Sequence, residues 1–177
     1  MAKPTEKIVM NQNEIDRALK RMAQEILEKN SGAKELVFIG VLEGGVPIAR
    51  ILADIIQNSE NVKIPLGAID ISFYRDDLSI RGKNISPKKS EINFSIDGKT
   101  VVLIDDVLFH GRTARAALDA LNDYGRPARV QLAVLIDRGY RELPIQPDYC
   151  GKKISVSPDI SVVVQLSNER EKKVFLK

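Results

Sequence analysis

With 177 residues, 44% of them apolar, the chain is long enough to bury a sizeable core in one α/β domain. A formal charge of +3 permits an anionic ligand, while 5% aromatics and no Trp argue against a stacking platform for single-stranded RNA. One Cys and one His exclude an internal disulfide and a thiolate metal cluster, and they leave no basis for a zinc site.

No stretch approaches the roughly 18–20 apolar residues of a membrane span. The opening Met-Ala-Lys-Pro-Thr-Glu lacks the apolar centre of a signal peptide, so a cytoplasmic location is expected. Residues 1–10 read as an N-terminal arm. Asn13 then reads as the N-cap of a helix carrying Ile15, Leu19, Met22 and Ile26 at helical spacing and closing near Gly32. Its outer face bears Arg17, Lys20 and Arg21, either a solvated face or part of an anion-binding surface.

Leu36–Val41 is a short buried strand that meets Leu42-Glu43-Gly44-Gly45 before a helix through Ile48, Ile51, Leu52 and Ile55. Paired glycines at such a turn either close it tightly or let backbone approach a ligand. Residues 64–71 form another strand. From 75 to 97 periodicity is lost among Arg75, Asp76, Asp77, Arg81, Lys83, Lys88 and Lys89, as expected of a flexible catalytic loop. Residues 129–136 give the next buried strand, ending at Asp137-Arg138-Gly139, and residues 161–166 a last, edge strand. The alternation predicts a mostly parallel sheet with helices on both faces, in one domain spanning 1–177. Ligands sit at the carboxyl ends of such strands, which places Glu43–Gly45, residues 105–106 and Asp137-Arg138 on one rim.

The most informative run is 101–113, Val-Val-Leu-Ile-Asp-Asp-Val-Leu-Phe-His-Gly-Arg-Thr. Four apolar residues make a buried strand, which delivers Asp105 and Asp106 to a turn at Gly111. A helix with Ala114, Ala117, Leu118 and Leu121 on one face follows. Free N–H groups at a helix start suit a phosphate, and adjacent carboxylates suit vicinal hydroxyls or a hydrated Mg²⁺. A phosphorylated sugar satisfies both halves.

This run resembles the 5-phosphoribosyl-1-diphosphate (PRPP) signature of type I phosphoribosyltransferases. Tyr-Arg-Asp-Asp-Leu-Ser at 74–79, Gly-Arg-Pro at 125–127 and Asp-Arg-Gly-Tyr-Arg-Glu-Leu-Pro at 137–144 extend the likeness over about residues 10–166. They resemble one subfamily, the pyrimidine operon attenuation proteins with uracil phosphoribosyltransferase activity.

The resemblance implies the type I phosphoribosyltransferase fold, with a small hood expected over 137–166. It implies a homodimer or higher homo-oligomer, Mg²⁺ as cofactor, and PRPP, uracil and UMP or UTP as ligands. A pyrimidine-leader mRNA is a further implied partner. By the same likeness Asp105 and Asp106 hold the ribose hydroxyls and stabilise charge at the ring, and Arg75 neutralises departing pyrophosphate. Gly44 and Gly45 take the pyrophosphate side, while Phe109, His110, Gly111, Arg112 and Thr113 cradle the 5-phosphate. Asp137, Arg138, Tyr149 and Cys150 are expected around the base. An RNA face would draw on Arg17, Lys20, Arg21, Arg138, Arg141 and Lys152.

Three positions depart from the subfamily pattern: Glu43-Gly44 for Thr-Arg, His110 for Thr, and Tyr140 for His. Glu43 either points away from the pyrophosphate, reaches it through Mg²⁺, or weakens its binding. His110 reads as a turn residue or as a phosphate contact, with general base last. Three functions follow in order: uracil phosphoribosyltransferase, nucleotide-sensing RNA attenuator, and purine phosphoribosyltransferase. The last is suggested by the Leu-(Lys/Arg)-Gly-Gly loop of hypoxanthine–guanine enzymes.

Overall fold

Apolar runs alternating with amphipathic segments resolve, in the computed structural model, into a parallel sheet covered on both faces. Residues 6–76, 89–166 and 172–177 are described. Five strands, β2 (Leu36–Val41), β3 (Leu66–Ile69), β4 (Thr100–Leu108), β5 (Arg129–Asp137) and β6 (Tyr149–Lys153), lie in the order β3-β2-β4-β5-β6. Every neighbouring pair is parallel. Strand side chains alternate in direction, so β4 feeds two cores. Val102 and Ile104 pack with α1 (Gln12–Asn30) and α2 (Gly45–Glu60), while Val101 and Leu103 pack with α3 (Arg112–Leu121). This is the α/β architecture that the alternation predicts.

Helix α1 begins two residues earlier than its periodicity suggests. Asn11, not Asn13, is the N-cap: its side chain accepts the Glu14 N–H, and Glu14 returns the bond to the Asn11 N–H. That reciprocal box satisfies two otherwise open donors, an option Asn13 lacks. Ser31 closes the helix in the left-handed conformation, ahead of Gly32.

The expected hood is differently composed. Residues 149–153 belong to the main sheet as its edge strand β6, so 137–166 is not one separate unit. A second, antiparallel sheet in the order β1-β8-β7 is instead built from β1 (Lys7–Met10), β8 (Lys173–Leu176) and β7 (Val162–Gln165). The described part of the expected N-terminal arm is thus a strand. Val174 at its centre is fully buried against the α1/α2 core.

The loop expected over 75–97 is also shorter at its far end. Glu91 pairs with Ala68 through two backbone bonds, the Ser90 hydroxyl accepts the Asp70 N–H, and Ile96 is fully buried. Residues 77–88 lie outside the described residues. Among the described residues, no helix is long and apolar enough to cross a membrane.

Candidate active site

The carboxyl ends of β2, β3 and β4 open into one cleft of about 750 Å³. Residues 42–44 line one side, 70–72 another, and Asp105, Asp106, Arg75 and Thr113 the floor and far wall. Residues 163–166, on and just after β7, close the side towards the small sheet.

Alternation along β4 sends its two carboxylates in different directions. Asp105 is buried and accepts the Asp106 N–H at 2.9 Å; Asp106 is half-buried and accepts the Val107 N–H at 2.8 Å. Burial pushes the Asp105 carboxyl well above the usual carboxylate range, and the neighbouring Asp106 charge adds to the rise. Arg75 acts in the other direction.

Two glycines let the β2–α2 turn sit against this pair. A Cβ on Gly44 would lie 2.4 Å from the Asp106 carboxyl carbon, and one on Gly45 would lie 1.9 Å from the Ile104 carbonyl oxygen. A side chain at Gly45 would have to displace the β4 backbone, while one at Gly44 would have to displace only the Asp106 carboxylate. The peptide between Leu42 and Glu43 is cis. Glu43 is exposed at the mouth of the cleft, so its three readings stay open.

A smaller cavity of about 220 Å³ adjoins the cleft, walled by residues 107–113 with Arg75 and Arg138. Gly111 stands at the N-cap of α3 with φ +94, and no side chain caps the helix. The first intrahelical bond runs from the Arg115 N–H to the Gly111 carbonyl, leaving the preceding amides without a helical acceptor. Arg75 donates to the Thr113 hydroxyl at 3.1 Å, tying the start of the 75–97 segment to this helix end. The Arg112 side chain turns aside, paired with Asp76 at 2.7 Å and with Glu142 at 2.7 Å. Phe109 stacks on His110 with ring centroids 3.6 Å apart and carries the Arg138 guanidinium 4.0 Å from its own.

Of the four residues expected around the base, Tyr149 and Cys150 lie off the cleft, while Asp137 and Arg138 stand at the end of β5. Tyr149 is buried beneath the sheet, donating to Gln131 and accepting from Asn30, because β6 pairs in register with Tyr149 opposite Ala133, well before the end of β5. Cys150 faces the α3-side core, and burial pushes its thiol up. The Asp137 carboxylate is taken by Arg141 at 2.6 Å and by the Gly139 N–H at 3.0 Å. Arg138 lines the smaller cavity and donates to the Ser157 carbonyl at 2.9 Å. It is 5% exposed, and its Nε has no hydrogen-bond partner.

The candidate RNA face is largely committed to internal bonds. Arg141 donates to Phe109, Gly139 and Ile145 carbonyls as well as to Asp137. Arg21 donates to the Cys150 and Gly151 carbonyls and to Glu25, and Lys152 to the Val9 carbonyl. Arg17, Arg21 and Lys152 share one shallow depression with Glu14; Arg17 and Lys20 are exposed.

Sequence reasoning missed Asp70 and residues 163–166. Asp70 ends a strand at the ligand-bearing rim, which is a usable signal. Nothing local marks β7 as a wall of the cleft.

Comparison with known proteins follows the same lines. A family model described as a phosphoribosyl transferase domain matches residues 7–169. The "Bifunctional protein PyrR" of Chloroflexus aurantiacus is 52% identical over 91% of this chain and 88% of its own. That of Brevibacillus brevis is 49% identical over 90% and 89%. Among solved structures, the hypoxanthine phosphoribosyltransferase of Trypanosoma cruzi superposes with a TM-score of 0.72 at 22% identity, covering 95% of each chain. A hypoxanthine-guanine phosphoribosyltransferase of Bacillus anthracis gives 0.69 at 24%, covering 90% of this chain and 88% of that one. At those identities the likeness is one of fold.

Proposed function

The chain belongs to the phosphoribosyl transferase domain family, among the bifunctional PyrR proteins, and from that premise we propose that it transfers the phosphoribosyl group of PRPP to uracil. The products are UMP and pyrophosphate, and the active form is a homo-oligomer. One observation carries the reading: Asp105 and Asp106 stand between a glycine turn that approaches them within a Cβ's width and a helix N-terminus that lacks a side-chain cap.

Each part then has a task. The open amides at the start of α3, with Thr113 and Arg138, take the 5-phosphate. The aspartate pair takes the ribose hydroxyls and stabilises the positive charge that develops on the ring as the C1–oxygen bond lengthens. Arg75 and the Gly44-Gly45 backbone face the leaving pyrophosphate. Residues 163–166, Val-Val-Gln-Leu, line the side left for the base.

Mg²⁺ fits this donor set, which is all carboxylate oxygen. No group of three His, Cys, Asp or Glu among the described residues could hold a metal, so Asp105 and Asp106 would hold the ion jointly with substrate oxygens. Bound there, it supplies charge neutralisation for the pyrophosphate.

The relatives' bifunctional name favours a second reading, the uridine-nucleotide-sensing RNA attenuator. Against it, Arg21, Arg141 and Lys152 are engaged within the chain. The enzyme is the reading we adopt. It is tested by offering uracil, hypoxanthine and orotate separately with PRPP and Mg²⁺. Formation of UMP alone is expected; IMP as the main product would replace uracil by a purine.

A further inference from the structure

We propose that His110 makes phosphate binding proton-linked: the smaller cavity takes up a proton on this imidazole as a phosphate monoester enters. The inference rests on the reading of that cavity as the 5-phosphate site and adds to it a residue that sets its pH response.

His110 lines the cavity with a side chain 35% exposed, and its ring is fixed by stacking on Phe109. Its backbone is held too, since the Glu142 and Leu143 amides both donate to the His110 carbonyl. A rotating surface imidazole would average its interactions away; this one is held at the cavity wall.

The charges around it have opposite effects. From the 75–76 segment come Arg75, which lines the same cavity, and Asp76; from the start of α3 comes Arg112, paired to Asp76 and Glu142. From the segment after β5 come Arg138 over the Phe109 ring, Tyr140 edge-on to it, Arg141 bound to Asp137, and Glu142. Glu142 places one oxygen 3.6 Å from His110 Nδ1 and gives the other to Arg112.

In the empty cavity, Arg75 and Arg138 therefore oppose a third cation, and Glu142 is already half committed. A phosphate monoester brings about 1.5 to 2 negative charges between them. That reverses the local sign, so protonated imidazole, with two N–H donors, becomes the favoured form. Acidification then tightens the site and alkalinity loosens it.

Ribose 5-phosphate is the probe, since it carries neither base nor pyrophosphate. Calorimetry on the full chain in two buffers of different ionisation heat counts the protons taken up. Between pH 6 and 8 the parent's affinity is expected to fall about tenfold more than that of His110→Gln, with a correspondingly larger proton uptake near pH 7. The free ligand's ionisation is common to both, so the difference between parent and variant reports the His110–phosphate pair. Because His110 is the sole histidine, its imidazole resonances also report directly, and their titration midpoint is expected to rise on saturation with ribose 5-phosphate.

Equal proton uptake in parent and His110→Gln, or a midpoint that ligand does not move, overturns the proposal while leaving the phosphate site standing. Failure of ribose 5-phosphate to bind the parent overturns both.

Discussion

Gly44 and Asp106 meet so closely that the glycine has no space for a side chain: a Cβ there would come within 2.4 Å of the Asp106 carboxyl. The turn and the acidic pair are therefore one unit, and the two residues preceding Gly45 respond differently to substitution.

Gly44→Ala is compatible with the local backbone, whose φ is −78°, so its effect falls on Asp106. Displacing that carboxylate is expected to lower turnover by about 10- to 10²-fold with the fold intact, as read by steady-state kinetics beside circular dichroism. Replacing Glu43-Gly44 together by Thr-Arg carries this penalty and so gives no clean test of charge.

Glu43→Thr does. A carboxylate about 5 Å from a pyrophosphate charge is repelled by roughly 3 kcal/mol at an effective dielectric of 20, reduced by solvent at so exposed a site. The substitution is expected to tighten PRPP several-fold, measured by direct binding with Mg²⁺ present. Weaker binding would mean that Glu43 helps to hold the ligand, and unchanged binding that it points away.

The acidic pair is expected to be needed for turnover, and Asp105 to be costly to stability. Asp105→Asn and Asp106→Asn should each cut the rate by at least about 10²-fold. Asp105 has a raised folded-state pKa, so its contribution to stability is present below the unfolded value and lost as pH rises through the folded one. In metal-free buffer, Asp105→Asn should match the parent near pH 4 and exceed it at pH 8. Urea titrations at both pH values check the sign. A variant less stable than the parent at pH 8 would contradict it.

Arg75 bridges the cleft and the start of α3 through Thr113. Arg75→Ala is expected to lower turnover by more than it weakens UMP, which carries no pyrophosphate. Equal losses in both would make it a ground-state ligand only.

How much of this was legible beforehand depended on how local the signal was. Val-Val-Leu-Ile-Asp-Asp followed by a glycine turn carries its strand, its carboxylates and its helix start within thirteen residues, and each appears where spacing puts it. Tyr149 and Cys150 were misplaced because their position depends on the register of an edge strand against β5, which no local pattern specifies. The β1-β8-β7 sheet joins short strands from opposite ends of the chain, so its pairing leaves no periodic trace. Arg138 and Arg141 look like solvent-facing cations in the sequence; carbonyls and Asp137 bury them.

Tyr149 offers a check on that correction. Tyr149→Phe removes a hydroxyl shared between Asn30 and Gln131, and is expected to cost about 1 kcal/mol of stability. Uracil affinity should be unchanged, as measured by equilibrium dialysis; a weaker uracil site would return Tyr149 to the base.

The most direct measurement sets catalysis against RNA binding in one preparation. UMP formation from PRPP and uracil is followed beside the affinity for a pyrimidine-leader stem-loop at physiological salt. Measurable UMP formation with weak, sequence-indifferent RNA binding is predicted, because Arg21, Arg141 and Lys152 are bound internally. Nanomolar, sequence-selective leader binding without UMP formation would contradict the account and make the regulator the primary function.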